Sequence, residues 1–400
     1  MKVAFVVQRC GTEVAGGAER LCLQIAQHMS RYWQTEILTT CARDYMEWQN
    51  YYPPGIEQIG ETIARRFPVD HPRDVTSFNR LSAALRERQA SSTLKEQEEW
   101  MRAQGPISTP LLDYIRTHSD DYDIFIFFGY LYATTYFGLP LVGRKAYLAP
   151  LAHDEWPIYF SMFDSMFAIP RAFIFNTQAE RDFLRVRFPG LAMAGEIIAV
   201  GVERGTNICP EQFRLDYNIS GPFILYLGRV DESKGCGELL RYFRQAKQTT
   251  TIPHELVLIG EEVMKVEFHD DIISLGIVAE QDKWNALGAC DWFVMPSQFE
   301  SLSIAILEAW LSERPVLVNG HCAVLQHQCQ NSNGGLWYSD YSEWIAAITA
   351  VPDTEKQQLG RQGRHFVEQS YSWRRVEQAY LDFVDKHNAG DIAPDPSLPV

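Results

Sequence analysis

The chain has 400 residues, 46% of them hydrophobic, and a formal net charge of −15. That length buries an ample core and is more often two domains than one, while no apolar run approaches the roughly 20 residues needed to cross a bilayer. The acidic balance argues against nucleic acid as the main partner. It is unevenly spread: residues 1–200 hold 20 Lys and Arg against 23 Asp and Glu, and residues 201–400 hold 16 against 28. The near-neutral first half is therefore the part compatible with peripheral contact at the inner face of an anionic membrane. Eight scattered cysteines without a disulfide framework are expected of free thiols in a cytoplasmic protein.

Taken in chain order, strand signals recur at VAFVV (3–7), EILTT (36–40), DIFIFF (123–128), KAYLAP (145–150), AFIFN (172–176) and EIIAV (196–200). The opening MKVAFVVQRC is too short for a signal segment and reads as the first strand. Short apolar runs alternating with helical patterns predict a parallel sheet covered on both faces. Residues 74–117 break the rhythm; their charged, helix-forming sequence predicts a helical insertion, either a helical pair or a mobile flap. The turn-rich segment 203–221 reads as a linker. A second series then begins: FILYL (223–227), ELVLIG (255–260), IISL (272–275), WFVM (292–295) and PVLV (315–318). The chain thus divides into a domain over 1–202, the linker, and a domain over 222–370. An amphipathic helix follows over 371–388, and the Pro-rich tail 389–400 is expected to be disordered.

Four stretches carry candidate chemistry. In CGTEVAGGAERLCLQIA, Gly11, Gly16 and Gly17 lie where the first strand turns into a helix, a place where backbone amides meet anions or sugars. Neither the P-loop nor the dinucleotide fingerprint fits, since no Lys follows and the glycine spacing differs. In LAPLAHDEWPIY, His153 falls just past a strand's carboxyl end, where open α/β sheets bind ligands. In FILYLGRVDESKGCGELL, Arg229 and Lys234 precede a helix expected to begin near Gly235–Gly237. Two cations at a helix N-terminus suit a diphosphate.

The fourth is PSQFESLSIAILEAWLSERPVLVNG. Glu300 falls in a loop ahead of Ser301 and Ser303, both candidate N-caps, and Glu308 falls inside an apolar helix. A buried carboxylate needs a partner, and a ligand rich in hydroxyls is one candidate. The run HCAVLQHQC, with His321, Cys322, His327 and Cys329, matches no zinc spacing, so no metal is expected there.

GRVDESKG followed by PSQFESLSIAILEAW and ERPVLV resembles the C-terminal domain of retaining glycosyltransferases of family 4, the glycosyltransferase group 1 type. The glycine loop at Gly16–Gly17, AHDEW, IAVGVE and the SYSW helix match as well, so the resemblance spans nearly the whole chain. It implies an α/β GT-B fold, with two Rossmann-like, doubly wound parallel-sheet domains facing across a cleft. The N-terminal domain would serve the acceptor and the C-terminal domain a nucleotide-sugar donor, with the last helix crossing back to the N-terminal domain. The implied reaction is transfer of a hexosyl group from a nucleotide-diphosphate sugar to a glycan, lipid-linked or small-molecule acceptor, of the kind used in polysaccharide biosynthesis, without cofactor or metal. Arg229 and Lys234 would neutralise the diphosphate, Glu300 would hold the sugar, and Glu308 the ribose. His153 would approach the sugar from the other domain, and Gly16–Gly17 would let the first loop close on donor or acceptor. Many relatives have Gly-Phe-Gly after the first glutamate; Ser301, Leu302 and Ser303 stand here, and their backbone amides would still face the donor. Two rivals follow the same residues: a non-catalytic binder of nucleotide sugars or glycans, and another GT-B enzyme such as a nucleotide-sugar epimerase.

Overall fold

The computed structural model describes residues 1–14 and 16–388; the tail over 389–400 lies outside the described residues. The chain forms two compact units. One is Met1–Val200 joined by the chain from Val376 onward, and the other is Gly201–Arg375.

The first unit holds β1 (Lys2–Val6), β2 (Gln34–Thr40), β3 (Gly55–Ile59), β4 (Thr62–Phe67), β5 (Ile124–Phe128), β6 (Ala146–Ala149), β7 (Ala172–Phe175) and β8 (Gly195–Ile197). Their order is β3-β4-β2-β1-β5-β6-β7-β8. Every neighbouring pair is parallel except the β3–β4 hairpin. An inner parallel strand buried on both faces is a continuous apolar run; β5, IFIFF, is buried at every residue. The β3–β4 hairpin gave no such run. Four of the five residues of β3 are exposed, and an edge strand facing water carries the charge and turn residues of a loop.

The insertion is helical, as expected, with three helices where a pair was one reading. Three helices, Val75–Glu87, Leu94–Gln104 and Thr109–Thr117, are each opened by a side-chain cap from Asp74, Thr93 and Ser108 respectively. Trp100, 2% exposed, packs its ring on Phe78, Trp156 and Phe160. Trp156 lies three residues past His153, so the insertion braces that loop. The closing helix, Trp373–Asn388, also joins this unit. Its buried Glu377 takes His28 Nδ1 at 2.8 Å, Arg31 Nη1 at 3.2 Å and the Tyr32 hydroxyl at 3.0 Å.

The second unit holds β9 (Phe223–Leu227), β10 (Glu255–Ile259), β11 (Ile272–Ser274), β12 (Trp292–Met295), β13 (Val316–Asn319) and β14 (Gly335–Tyr338), in the order β11-β10-β9-β12-β13-β14. All five pairs are parallel. The segment expected to be a linker is part of this unit. It contains the helix Pro210–Asp216, whose Phe213 is buried against Phe223. Arg214 donates to the carbonyls of Gly221 (2.5 Å) and Ala289 (2.8 Å). The turn residues that suggested a free linker instead allow close packing: a Cβ on Gly205 would lie 2.4 Å from the Trp284 ring.

Each sheet has a point where the strand order reverses, between β1 and β5 in the first and between β9 and β12 in the second. Loops at the carboxyl ends of such neighbours diverge and leave room for a ligand. The loop after β9 carries Arg229 and Lys234, and the loop after β12 carries Glu300.

Candidate functional site

The reversal point of the second sheet brings together the loops that carry Arg229, Lys234 and Glu300. Leaving β9, the chain passes Gly228 (φ 151°) and Arg229, whose carbonyl accepts from the Tyr226 hydroxyl (2.8 Å). Arg229 Nε donates to Asp231 Oδ2 at 2.8 Å, and Asp231 Oδ1 accepts from the Ser233 amide at 2.7 Å. Burial pushes the Asp231 carboxyl up, but the Ser233 bonds and the Arg229 charge outweigh it and hold it below its usual range. Asp231 thus caps the short 3₁₀ turn Glu232–Lys234 and holds the Arg229 guanidinium. Gly235 follows with φ 76°, a conformation that favours glycine. A Cβ there would meet the Pro296 carbonyl at 2.3 Å, so the loops after β9 and β12 are in contact. The helix Cys236–Thr249 starts here, close to the predicted position.

The second loop supplies the carboxylates. Lys234 Nζ donates to Glu300 Oε1 at 2.8 Å. The Lys234 side chain is 32% exposed and that of Glu300 12%. Glu300 is in the loop and Glu308 in the helix Ile304–Leu311, as expected. Ser303 occupies the N-cap position, but neither it nor Gly235 caps its helix with a side chain. The Cys236 amide at the first of these helix starts donates to the Asp231 carbonyl at 3.3 Å.

The partner of Glu308 was missed. Lys283 Nζ donates to Glu308 Oε1 at 2.7 Å and also contacts Glu280 Oε1 at 2.6 Å. Lys283 is on the helix Glu280–Ala289, where the sequence offers only its i, i+3 relation to Glu280. Nothing ties it to a residue on another helix. The buried carboxylate is therefore compensated from within the chain, where the sequence had suggested a ligand.

In the first unit, Gly16 is the N-cap of the helix Gly17–Met29 and is extended (φ −105°, ψ 140°), so its backbone does not demand glycine. The reason is space. A Cβ on Gly16 would lie 1.8 Å from Glu19 Oε2, whereas one on Gly17 would meet nothing within 4 Å. Glu19 is buried and accepts from Gln8 Nε2 (2.9 Å) and Arg9 Nε (2.5 Å). The two glycines therefore have different roles, which the sequence pairing hid. His153 follows β6 after Leu151, which has φ 52°. Its Nδ1 lies 3.7 Å from Glu155 Oε1, an oxygen that also accepts from the buried Tyr130 hydroxyl at 2.7 Å. Gly16, Gly17 and His153 are thus grouped at the carboxyl edge of the first sheet, and the other predicted site residues at that of the second.

Of the HCAVLQHQC residues, Cys322 and Cys329 are buried while His321 and His327 are exposed. Among the described residues no group of three or more His, Cys, Asp or Glu is placed to hold a metal ion. Nor, among them, is any helix long and apolar enough to cross a membrane.

Comparison with known proteins agrees with this architecture. Residues 221–352, the core of the second unit, match the family model described as glycosyl transferases group 1. Mannosylfructose-phosphate synthase of Agrobacterium fabrum is 23% identical over 198 residues, covering 44% of this chain and 43% of that protein. The chain therefore matches less than half the length of that curated relative. Among solved structures, sucrose-phosphate synthase of Thermosynechococcus elongatus superposes with a TM-score of 0.73 at 16% identity, over 98% of this chain and 100% of that one. HepE of Anabaena, in complex with UDP-glucose, gives 0.67 at 15% identity, over 96% and 100%. Residues 221–352 thus match glycosyl transferases group 1 within a chain that has the GT-B fold.

Proposed function

We propose that the protein is a retaining glycosyltransferase of family 4 that moves a sugar from a nucleotide-diphosphate sugar to a hydroxyl of a glycan, lipid-linked or small-molecule acceptor. The observation that carries the reading is the 2.8 Å contact between Lys234 and Glu300. It joins a cation suited to a diphosphate with a carboxylate suited to sugar hydroxyls, and those two groups are adjacent in such a donor. Arg229 adds a second cation, and the helix starts at Gly235 and Ser303 add amide donors.

In this reading Arg229 and Lys234 stabilise the departing diphosphate as charge develops on it. Glu300 and the amides of Ser301, Leu302 and Ser303 hold the sugar. Glu308, held in place by its bond from Lys283, takes the ribose hydroxyls. His153 approaches the sugar, and Gly16–Gly17 lets the first loop approach donor or acceptor. The departing phosphate helps take the acceptor proton on the same face, which retains the anomeric configuration. The two cations meet the phosphate charge without a metal, so transfer should persist in a chelator. Eight free thiols, seven of them buried, accord with a cytoplasmic location. The near-neutral first half leaves peripheral membrane contact as part of the proposal.

The HepE structures contain UDP, glucose and UDP-glucose, so UDP-glucose heads the panel of donors to test. Heating the protein with each nucleotide sugar should raise its unfolding temperature for at least one of them, because a ligand that binds only the folded state stabilises it. If none of the panel stabilises the chain, the reading fails.

A further inference from the structure

Glu180, in the first turn of the helix Gln178–Arg187, is 1% exposed and makes no ion pair among the described residues. Its two oxygens accept from two backbone amides. The Ala152 N–H donates to Oε1 and the Asn176 N–H to Oε2, each at 2.7 Å. Ala152 follows β6 and Asn176 follows β7, which are parallel neighbours. One buried carboxylate thus ties the carboxyl ends of two strands.

The turn it ties is strained. Leu151 holds φ 52°, a left-handed conformation that a branched side chain disfavours, so the surroundings must impose it. The imposed bond is on the next residue, Ala152, and His153 follows at once. Beyond His153, the Glu155 amide donates back to the His153 carbonyl at 2.9 Å. The histidine therefore sits in a short turn anchored on both sides.

We propose that Glu180 is a positioning residue of the transfer site, fixing through the Ala152 amide the turn that presents His153. The inference rests on the assignment of His153 to the donor sugar. Burial pushes the Glu180 carboxyl up to about 8, against the pull of the Asn176, Ala152, Thr177 and Leu151 amides. Titratable groups on the elements packed around it are His153 and Glu155 on the turn, with Arg181 and Asp182 on its own helix; none forms an ion pair with it.

Glu180→Gln keeps the shape of the side chain but, unlike the ionised carboxylate, turns an NH₂ group toward amide donors. Assayed above about pH 8, where the native carboxyl is ionised, it should remain folded by circular dichroism, keep the donor KM within about twofold and lose about 100-fold in kcat, the scale of a small misplacement of a reacting group. Combined with His153→Ala it should lower kcat no further than His153→Ala alone. A folded Glu180→Gln with full kcat, or additive losses in the double variant, would overturn the proposal. A readout independent of activity is the NMR spectrum of the His153 ring. Its resonances should move in Glu180→Gln, and unmoved resonances would overturn the positioning role. Moved resonances in a protein that transfers no sugar would uphold it while sinking the proposed function. If Glu180→Gln does not fold, the unaltered chain carries the test: the His153 ring resonances should move as Glu180 ionises near pH 8, and resonances that do not respond to that step would overturn the proposal.

Discussion

Lys283 Nζ and Glu308 Oε1 lie 2.7 Å apart, with the lysine side chain 12% exposed and the glutamate 5%. A carboxylate in the apolar helix IAILEAWL is tolerable because this lysine compensates it. Removing one member of a buried pair strands the other charge, at a cost of about 3–5 kcal/mol. Lys283→Ala should therefore lower the urea midpoint of the second unit markedly. Lys283→Met combined with Glu308→Gln should recover most of that loss, since no charge is left stranded. If Lys283→Ala unfolds with the unaltered protein, the pair has no such role.

The Lys234–Glu300 pair is more exposed, and its loss should be felt in chemistry before stability. Lys234→Ala should lower turnover by about two orders of magnitude or more, as removal of a charge-stabilising donor does, with a near-native melting temperature. Unchanged turnover would remove Lys234 from the site.

Glu308→Gln tests the ribose assignment by itself. Calorimetry with a free nucleoside diphosphate, which lacks the sugar, should show weaker binding by roughly tenfold, the scale of a hydrogen bond to a charged group. Equal affinity in both proteins would move Glu308 from ligand binding to structure alone.

Gly16 and Gly17 should part company. Gly16→Ala forces a Cβ to within 1.8 Å of the Glu19 carboxylate and disturbs its bonds to Gln8 and Arg9, so a loss of about 1–3 kcal/mol is expected. Gly17→Ala meets open space in the first turn of a helix and should be neutral or add up to about 1 kcal/mol. Thermal melts of the two variants decide the point. Equal effects would show that the packing around Glu19 does not govern the loop.

Acid and base should act through different carboxyls. Glu180 is raised in the folded chain to about 8, so the stability it confers is fully present below its unfolded value, about 4.3, and is lost as pH rises through about 8. Asp231 is lowered; its contribution is present above its unfolded value, about 3.9, and is lost as pH falls through the folded one. Urea unfolding across pH should show the unaltered protein losing stability relative to Glu180→Gln between about pH 5 and 8, and Asp231→Asn converging with it in acid. Parallel profiles would contradict both signs.

Much of this was legible in the residues. Parallel strands buried on both faces are continuous apolar runs, so FILYL and WFVM mark β9 and β12 without ambiguity. Arg229, Lys234 and Glu300 were readable because each follows such a strand closely. The edge hairpin β3–β4 was not, since an exposed strand is written in loop residues. The helix Pro210–Asp216 hid among turn formers for the related reason that close packing and turning both favour glycine. Lys283 could not be paired with Glu308 because the contact joins two helices and only the fold brings them together. Thr177 and Glu180 do spell a capping box, T-x-x-E, but the glutamate also reaches the Ala152 amide at the end of another strand. That departure from the local pattern is what gives Glu180 its proposed role.

The most direct test of the central claim is NMR of the anomeric centre in a reaction of the protein with UDP-glucose and the other nucleotide sugars of the panel, with candidate hydroxyl acceptors. The account predicts release of the nucleoside diphosphate with a new glycoside that keeps the donor's configuration, and loss of both in Lys234→Ala. An inverted product, or release that is undiminished in Lys234→Ala, would contradict it.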